Sequence, residues 1–593
     1  MKGWKIVLLF LLLLTPFSFT QAQSNKTGFS IRAQIVDGQD ATPLPYASIF
    51  NQNQKRGTAS DLEGYFTMPY NQQGDTLLIS YIGYKSRKYV LQNNRIDTIQ
   101  LLSSTTTLDE VVITTDNDYL YDLILEARKN GGKVNRQAKS YFFLETQLDG
   151  QTSEFIEAYY NGSFNGYKTH SLGLKKGRIG LRPIHQNYFL TTESSQVFLL
   201  QNLFTKDGFF PWNPLCMKKG KLRKAYGLSL KNILFEKGDR IYQIEATPKD
   251  STAGYFTTTL WINLTDKQIL KVNLQADQCR QHPFAMIGET DPTSLPVNLN
   301  ISHQYKEIEG GMTLDAIDFQ YELTYKNEEN QDVTVGTRAY LKAYGEGRPF
   351  HLPMFQFSNS LHKDYRDFTA APYDSVFWTE VDEFRLFDKA KEVDGFMKKH
   401  KVEDNFYAFN HDEEFQLSYG YVSWRPDRIA IKELTQEDID KRVSERAIDA
   451  DRYQLGVKLY LDASRVNDSL IYQAHVIMDP METFYYFEMD PLDHAFINMY
   501  FDLMEIAKRR MEQEMKLLPY LTLKDTERLY ASAQRNFAIH ANKFVKEVQR
   551  GGNEKKLREW NDYIYERLGI DNMGIYGLYP MGPTKKTSQK GGR

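Results

Sequence analysis

The chain has 593 residues, with 41% hydrophobic and 25% charged side chains, proportions typical of a globular protein with several domains. Its formal net charge is only −3, so the sequence lacks the basic excess of a nucleic-acid-binding protein, and we expect no such partner. Aromatic residues make up 13% of the chain, a high share that favours β-rich structure.

The first 22 residues have the pattern of a secretion signal. Lys2 and Lys5 precede an apolar run, residues 6–14, which is shorter than the roughly 20 residues that a membrane-spanning helix needs. Thr20 and Ala22 supply small residues at the positions that a signal peptidase reads. We therefore predict a signal peptide over residues 1–22 and an exported mature chain without a transmembrane helix.

Residues 29–102 read as a small β-sandwich. Phe29, Ile31, Ala33 and Ile35 alternate with polar residues, as a half-buried strand requires. Further short apolar runs follow, separated by turn residues. Few polar side chains in this module could converge on chemistry.

Three stretches of this module and the exit sequence that follows it, residues 108–114, resemble a known domain. They read PLPYASIF, GTASDLEGYF, DTLLISYIGY and LDEVVIT, and together they are similar to the carboxypeptidase-regulatory-like domain of Bacteroidetes envelope proteins. The resemblance implies a transthyretin-like or immunoglobulin-like sandwich without catalytic activity. It also implies a place in the periplasm, at the outer membrane through peripheral association, or outside the cell. Residues 103–117 are then expected to be a linker.

Residues 118–350 predict an antiparallel β-rich domain that opens with a helix. Leu120, Leu123, Ile124 and Ala127 fall at helical spacing, which predicts an amphipathic helix over residues 118–130. Two long hairpins follow, with turns at residues 265–267 and 310–311. Such a meander has one buried and one available face, and it could form a curved sheet like that of periplasmic lipoprotein carriers.

Residues 351–424 are interpreted as a connecting segment with a helix over residues 383–400. Of the histidines in the first two-thirds of the chain, four stand isolated in sequence, so we expect them to be satisfied or exposed and not ligands. They are His170, His185, His282 and His303. Cys216 and Cys279 are the only cysteines, and the sequence leaves open whether they form a disulfide or two thiols.

Residues 425–570 resemble a family of secreted bacterial zinc-dependent proteases. The stretches RIAIKELTQEDIDKR, DADRYQLGVKLYLDAS, YFDLMEIAKRR and REWNDYIYERL follow in the family's order, and Trp560 takes the place of its tryptophan. The family's H-E-x-x-H positions hold Phe496, Ile497 and Tyr500, and its later histidine falls near Lys543. Phenylalanine has no donor atom, isoleucine cannot accept a proton, tyrosine is a rare and poor zinc ligand, and an ammonium repels a dication. The resemblance therefore implies a zincin-like α+β domain without its metal site.

Other donors in this region could in principle form a relocated site. His494, Asp502, Glu505 and His540 are available, but the first two lie about 12 Å apart along a helix axis. Carboxylates are also plentiful at residues 411–415 and at Asp479 with Asp490. We nevertheless predict no catalytic, cofactor-binding or metal-binding residue, and a disordered tail over residues 571–593.

The leading hypothesis is a non-catalytic envelope protein that binds a partner protein, a glycan or another envelope component. Whether it has any enzyme activity is uncertain from sequence, with the balance against it. One alternative is a secreted hydrolase or peptidase with a relocated active site and a carboxypeptidase-like regulatory module. Another is a periplasmic carrier of lipid or lipoprotein.

Overall fold

The computed structural model describes residues 29–579, except for residues 55, 62, 71–73, 92–97, 105–117, 131–133, 185–190, 192–193, 207, 237, 251–253, 285–294, 310, 328–329, 358–362, 369, 381–382, 403–420, 429–452, 467–468, 480–481 and 486–489. The chain divides into two compact units. The first consists mainly of residues up to Leu102, and the second mainly of those from Ser103 onward. The expected signal peptide and most of the expected linker lie outside the described residues.

The N-terminal unit contains two small antiparallel-rich sheets. Its strands are Phe29–Asp37 (β1), Ser48–Asn51 (β2), Arg56–Ala59 (β3), Tyr65–Tyr70 (β4), Thr76–Ser80 (β5), Arg87–Val90 (β6) and Thr98–Leu101 (β7). One sheet has the order β4-β1-β7 and the other the order β3-β2-β5-β6. Ile31, Ala33 and Ile35 are almost fully buried, which confirms the alternation predicted for β1. The unit is sandwich-like, as expected.

The second unit is built on a ten-stranded antiparallel sheet. Its strands are Asn135–Leu148 (β8), Gln151–Asn165 (β9), Lys168–Leu181 (β10), Tyr226–Glu236 (β11), Asp239–Pro248 (β12), Thr257–Asn263 (β13), Ile269–Cys279 (β14), Val297–Ile308 (β15), Gly311–Lys326 (β16) and Asp332–Tyr344 (β17). Their order is β10-β9-β8-β17-β16-β15-β14-β13-β12-β11. Both predicted hairpins, β13–β14 and β15–β16, are present. The closing pair, β8 with β17, joins segments that are far apart in sequence and leaves no local signal.

One face of this sheet is apolar along its whole middle. Residues paired across six neighbouring strands form one continuous row of inward-facing apolar side chains: Leu274, Ile301, Phe319, Ala339, Leu144 and Ile156. Short elements cover this face: Asp118–Lys129 (α1), Val197–Leu200 (α2) and Lys219–Ala225 (α3). α1 buries Leu120, Leu123, Ile124 and Ala127, as its spacing predicted.

The described part of the connecting segment contains the helices Lys363–Phe368 (α4), Ser375–Glu380 (α5) and Phe387–His400 (α6). The helix expected over residues 383–400 therefore begins later than predicted. Tertiary contacts explain the difference. The carbonyl of Phe384 accepts a hydrogen bond from the Tyr159 hydroxyl at 3.1 Å, and the Arg385 guanidinium forks onto the Glu157 carboxylate at 2.8 and 2.9 Å. These bonds to β9 hold residues 384–385 outside the helix.

The C-terminal part joins small strands to long helices. The strands are Val422–Ser423 (β18), Tyr453–Gln454 (β19), Val457–Val466 (β20), Ser469–Met478 (β21) and Phe484–Tyr485 (β22), and the helices are Pro491–Lys516 (α7), Leu523–Val548 (α8), Glu554–Leu568 (α9) and Asn572–Ile575 (α10). β18, β21 and β20 form one sheet in that order. Capping boxes start the two long helices, at Asp490 with Asp493 and at Thr522 with Asp525.

The last described residues, 571–579, are ordered, whereas the sequence predicted a disordered tail over residues 571–593. Asp571 caps α10 by accepting from the Gly574 N–H at 2.9 Å, and the Met573 side chain is fully buried in the helical core. The prediction was wrong for these residues because an apolar anchor so close to a basic, glycine-rich end gives a weak sequence signal. Among the helices of the described residues, none has the length and apolar character required to cross a bilayer.

Candidate binding site

The zinc-ligand positions of the resembled protease lie in an aromatic core. Phe496 and Ile497 are fully buried. The Phe496 ring stacks on Phe544 of α8 with centroids 5.2 Å apart and planes 14° apart. Phe544 meets the Trp560 ring edge-on at 5.5 Å. Phe496, Phe544 and Trp560 thus pack ring against ring within the helical core, and we call these three rings the aromatic plug.

The other two substituted positions also serve packing or surface roles. Tyr500 lies edge-on to Phe537 of α8, with ring centroids 5.4 Å apart. Lys543 points its ammonium toward Glu547, at 3.9 Å, and its side chain is largely exposed. The residue next to Lys543, Phe544, supplies the inward side chain of this turn. The sequence alone does not show which of the two, Lys543 or Phe544, points into the helical core.

Two of the four alternative donors sit beside α10 but in different surroundings. The His494 ring stacks on Tyr576 at 5.7 Å. Asp502 is fully buried and accepts from the Arg428 guanidinium at 2.8 and 2.9 Å and from the Asn572 amide at 2.8 Å. Burial raises the pKa of Asp502, and Arg428 opposes that rise. The Asp502 carboxylate is thus a structural link between α7 and α10.

Glu505 and His540 are likewise engaged elsewhere. Glu505 forms ion pairs with Lys508 at 3.2 Å and Arg509 at 2.9 Å. A ring nitrogen of His540 lies 2.7 Å from the Asn536 carbonyl, and the ring stacks on Tyr563. Within the described residues, no three His, Cys, Asp or Glu side chains come together in a way that could hold a metal ion.

The remaining candidates are also separated. Asp479 is fully buried and pairs with Arg366 and, at 2.8 Å, with Lys458, whereas Asp490 caps α7. Residues 411–415 and His185 lie outside the described residues. The two cysteines are free thiols, and burial raises the pKa of each.

The isolated histidines have no shared partner among the described residues. His170 is exposed. A ring nitrogen of His282 lies 2.8 Å from the Leu295 carbonyl, and one of His303 lies 2.7 Å from the Gln201 amide oxygen. Burial lowers the pKa of His303 to about 3, so the ring is neutral at physiological pH.

A groove with a volume of about 300 Å³ lies between β20 and the two long helices. Its lining, which defines the β20 groove, is Phe355, Gln356, Val457, Lys458, Leu459, Met504, Tyr530, Gln534 and Phe537. The floor is apolar, since Leu459 and Met504 are almost fully buried. The volume is at the lower end of the range for ligand pockets. The sequence does not reveal this site because its lining comes from four separate segments.

The β20 groove runs along an edge strand. Among the described strands, β20 pairs with β21 alone and lies at the end of its sheet. On its other side, the Leu461 carbonyl accepts the Met354 N–H at 2.8 Å, and the Leu459 carbonyl accepts the Tyr530 hydroxyl at 2.9 Å. The Gln534 amide in turn donates to the Tyr530 oxygen at 2.8 Å. Two successive outward-facing carbonyls of β20 thus already accept hydrogen bonds, that of Leu459 from a hydroxyl and that of Leu461 from a backbone N–H.

Buried ion pairs fix this region to the large sheet. Lys175 of β10 donates to the Asp462 carboxylate and to the Ala463 carbonyl, at 2.5 and 2.8 Å. Lys176 reaches the other Asp462 oxygen at 2.8 Å and Asp374 at 3.2 Å. Since Asp462 lies on β20, these contacts hold the groove's edge strand in a defined position.

Comparison with known proteins identifies the N-terminal unit. Residues 31–113 match the CarboxypepD_reg-like domain, which confirms the resemblance predicted there. A stretch of 110 residues, 18% of this chain, is 30% identical to TonB-dependent receptor P39 of Formosa agariphila and covers 10% of it. TonB-dependent receptor P26 of the same organism is 35% identical over 88 residues, 14% of this chain and 9% of the receptor. The chain thus spans only 10% and 9% of the length of these relatives.

Solved structures show only distant likeness. A LolA superfamily protein from Nitrosomonas europaea is 11% identical with a TM-score of 0.16, over 38% of this chain and 92% of that one. The MucA/MucB complex of Pseudomonas aeruginosa is 11% identical with a TM-score of 0.15, over 37% and 92%. These scores are too low to support an argument about fold or ligand. The comparisons give the zinc-protease resemblance of residues 425–570 no support.

Proposed function

We propose that this protein is an exported cell-envelope component that acts by binding, and that it holds an extended apolar segment of a partner protein in the β20 groove. The CarboxypepD_reg-like domain and the receptor relatives support an envelope location. The groove beside an edge strand is the observation that carries the choice of ligand.

The edge of β20 favours a peptide. An extended peptide can add to a sheet edge through backbone hydrogen bonds and place alternate side chains in adjoining pockets. β20 already receives one backbone N–H in this way, from Met354 at the Leu461 carbonyl. A groove of about 300 Å³ has room for one or two large side chains, and Gln356 and Gln534 at its rim can pair with peptide groups.

The aromatic plug supports binding without catalysis. Phe496, Phe544 and Trp560 pack against one another as core residues, and the nearby Asp502 and Glu505 are committed to ion pairs. On this proposal the protease-like arrangement of β20, α7 and α8 serves as a scaffold for recognition.

A peptide-display experiment tests the proposal. The mature chain is immobilised and selected against a random dodecapeptide library, and the selected peptides are titrated by fluorescence anisotropy. We expect apolar residues at alternate positions and a loss of affinity of at least about tenfold for Phe537→Ser, because the groove loses an aromatic wall. The control is Ile539→Ser, which changes an exposed residue of the same helix. Selection of no peptide, or equal affinity for both variants, contradicts the proposal.

A second candidate is a carrier of lipid or lipoprotein, favoured by the continuous apolar face of the ten-stranded sheet. Among the described residues, α1, α2 and α3 cover that face. The cavity lined by Gln201, Phe210 and Trp212 has a volume of about 10 Å³, space for about one water molecule. An acyl chain would therefore have to displace residues 194–217. A fluorescent fatty acid that binds and raises hydrogen exchange in residues 197–217 would favour this candidate, and absence of binding would eliminate it.

A further inference from the structure

The turn between the two long helices displays large apolar side chains to solvent. Residues 516–524 read KLLPYLTLK. The Leu517 side chain is 83% exposed and Tyr520 is 87% exposed, and Pro519 between them is also exposed. An aliphatic and an aromatic side chain with such high exposure at one turn form an apolar surface patch. We call residues 516–524 the α7–α8 tip.

The α7–α8 tip is held in a fixed conformation. Leu518 and Leu521 pack against the core of the helical region. The Leu517 N–H still bonds to the Gln513 carbonyl at 3.2 Å, as the last turn of α7. On the other side, the Thr522 hydroxyl accepts from the Asp525 N–H at 3.2 Å and caps α8. The exposure of Leu517 and Tyr520 is therefore built into the turn and does not come from fraying.

All charged side chains of the α7–α8 tip are basic. Lys516 and Lys524 are exposed and stand at its two ends, with no acidic residue between them. The flanking acids are engaged: Asp525 binds the Thr522 hydroxyl at 2.6 Å, and Glu514 pairs with Arg510 at 3.0 Å. The tip thus presents apolar side chains bracketed by two ammonium groups.

We propose that the α7–α8 tip docks on the surface of an anionic lipid bilayer. Leu517 and Pro519 would enter the boundary between headgroups and acyl chains, and Tyr520 would lie at headgroup level, where aromatic rings with a polar end are enriched. Lys516 and Lys524 would pair with lipid phosphates. The three exposed side chains of Leu517, Pro519 and Tyr520 give a shallow, reversible attachment that does not require a spanning helix. This inference is independent of the peptide site in the β20 groove.

Co-sedimentation with vesicles tests the proposal. The mature full-length chain is mixed with vesicles of phosphatidylcholine with or without phosphatidylglycerol, at about 0.1 M and about 0.5 M salt. We expect binding to the anionic vesicles that falls with salt, and a loss of at least about tenfold in the partition coefficient for Leu517→Asp with Tyr520→Asp. Lys516→Glu with Lys524→Glu should remove the preference for phosphatidylglycerol.

Matched controls distinguish vesicle binding by the α7–α8 tip from non-specific adsorption of exposed apolar side chains. Ile539 is 65% exposed on α8 outside the tip, so Ile539→Asp should bind vesicles like the unchanged chain. Circular dichroism checks that every variant is folded. Equal vesicle binding by the tip variant and the unchanged chain would overturn the proposal, as would no binding at all. Self-association in gel filtration that the tip variant abolishes, without vesicle binding, would instead assign the tip to contact between copies of the chain.

Discussion

The Lys175 ammonium and the Asp462 carboxylate meet 2.5 Å apart with each side chain only 2% exposed, and they join β10 of the large sheet to β20 of the C-terminal sheet. Lys176 shares the same carboxylate. Asp462 therefore pairs with two buried ammonium groups from a distant part of the chain, and Asp374 is a second partner of Lys176. Burial lowers the pKa of Lys175, and Asp462 opposes that change.

Asp462→Asn should destabilise the second unit by about 3–5 kcal/mol, because it leaves the buried Lys175 without its counter-charge and Lys176 with Asp374 alone. Lys175→Met should cost less, since Lys176 still pairs with Asp462. The double variant, which combines Asp462→Asn with Lys175→Met, is therefore expected to be milder than Asp462→Asn alone. Urea unfolding followed by circular dichroism measures the differences. Additive effects of the two single changes would show that the pair is not energetically coupled.

Local sequence patterns predicted the elements of this fold better than their assembly. Alternation identified β1, and helical spacing identified α1, because each pattern depends only on residues close in sequence. Periodicity does not indicate which distant segments come into contact. It therefore could not predict the pairing of β8 with β17 or the contact between Lys175 and Asp462. The late start of α6 has the same origin, since Glu157 and Tyr159 of β9 bind the residues just before it.

The candidate site was predicted only in part. The sequence showed that Phe496 has no zinc donor and that Tyr500 would be a poor one, and the structure adds what they do, which is to pack against Phe544 and Phe537. The β20 groove gave no signal in advance. Its walls combine Phe355 and residues of β20 with residues of two helices, and ordinary apolar residues at core spacing do not reveal which of them border an opening.

Phe496→Ala should lower the stability of the helical region by about 3–5 kcal/mol, because it removes a fully buried ring from the aromatic plug and leaves a cavity against Phe544. Hydrogen exchange of residues 491–516, measured by mass spectrometry, localises the effect. Ile539→Ala is the control, since truncating an exposed side chain should change stability by no more than about 0.5 kcal/mol. A Phe496→Ala effect as small as the control's would mean that the plug is not a packed core.

The purified mature chain should hold less than about one zinc ion per ten molecules, because Phe496 and Ile497 lack donor atoms and no metal-binding group of His, Cys, Asp or Glu forms among the described residues. Elemental analysis after dialysis against zinc measures this content. His494→Ala, Glu505→Ala and His540→Ala should leave it unchanged. A stoichiometric metal lost in any of these variants, or peptide cleavage that a chelator stops, would establish the relocated-site hydrolase and refute the binding proposal.

Acid should destabilise the second unit through His303. Burial lowers the folded-state pKa of His303 from 6.5 to about 3, so between these values the unfolded chain binds the extra proton. The neutral ring's contribution is complete above the unfolded pKa and is lost as pH falls. From about pH 6.5 to about pH 4.5 the loss is about 2 kcal/mol at roughly 1.4 kcal/mol per unit of pKa shift. His303→Gln should flatten this part of the stability–pH curve, whereas the exposed His170→Gln should not; an unchanged slope in His303→Gln would assign the acid loss to other groups.

Tyr530→Phe distinguishes strand addition from simple filling of the β20 groove. The Tyr530 hydroxyl occupies the outward carbonyl of Leu459, the position that a bound strand's N–H would take. Removing the hydroxyl should cost about 1 kcal/mol of stability but release that acceptor for the peptide. If the ligand adds to the edge of β20, its affinity should rise several-fold in Tyr530→Phe while it falls in Phe537→Ser. If apolar side chains alone bind in the groove, anisotropy titrations should show no gain, because the phenyl ring that remains in Tyr530→Phe preserves the wall and no backbone bond is formed.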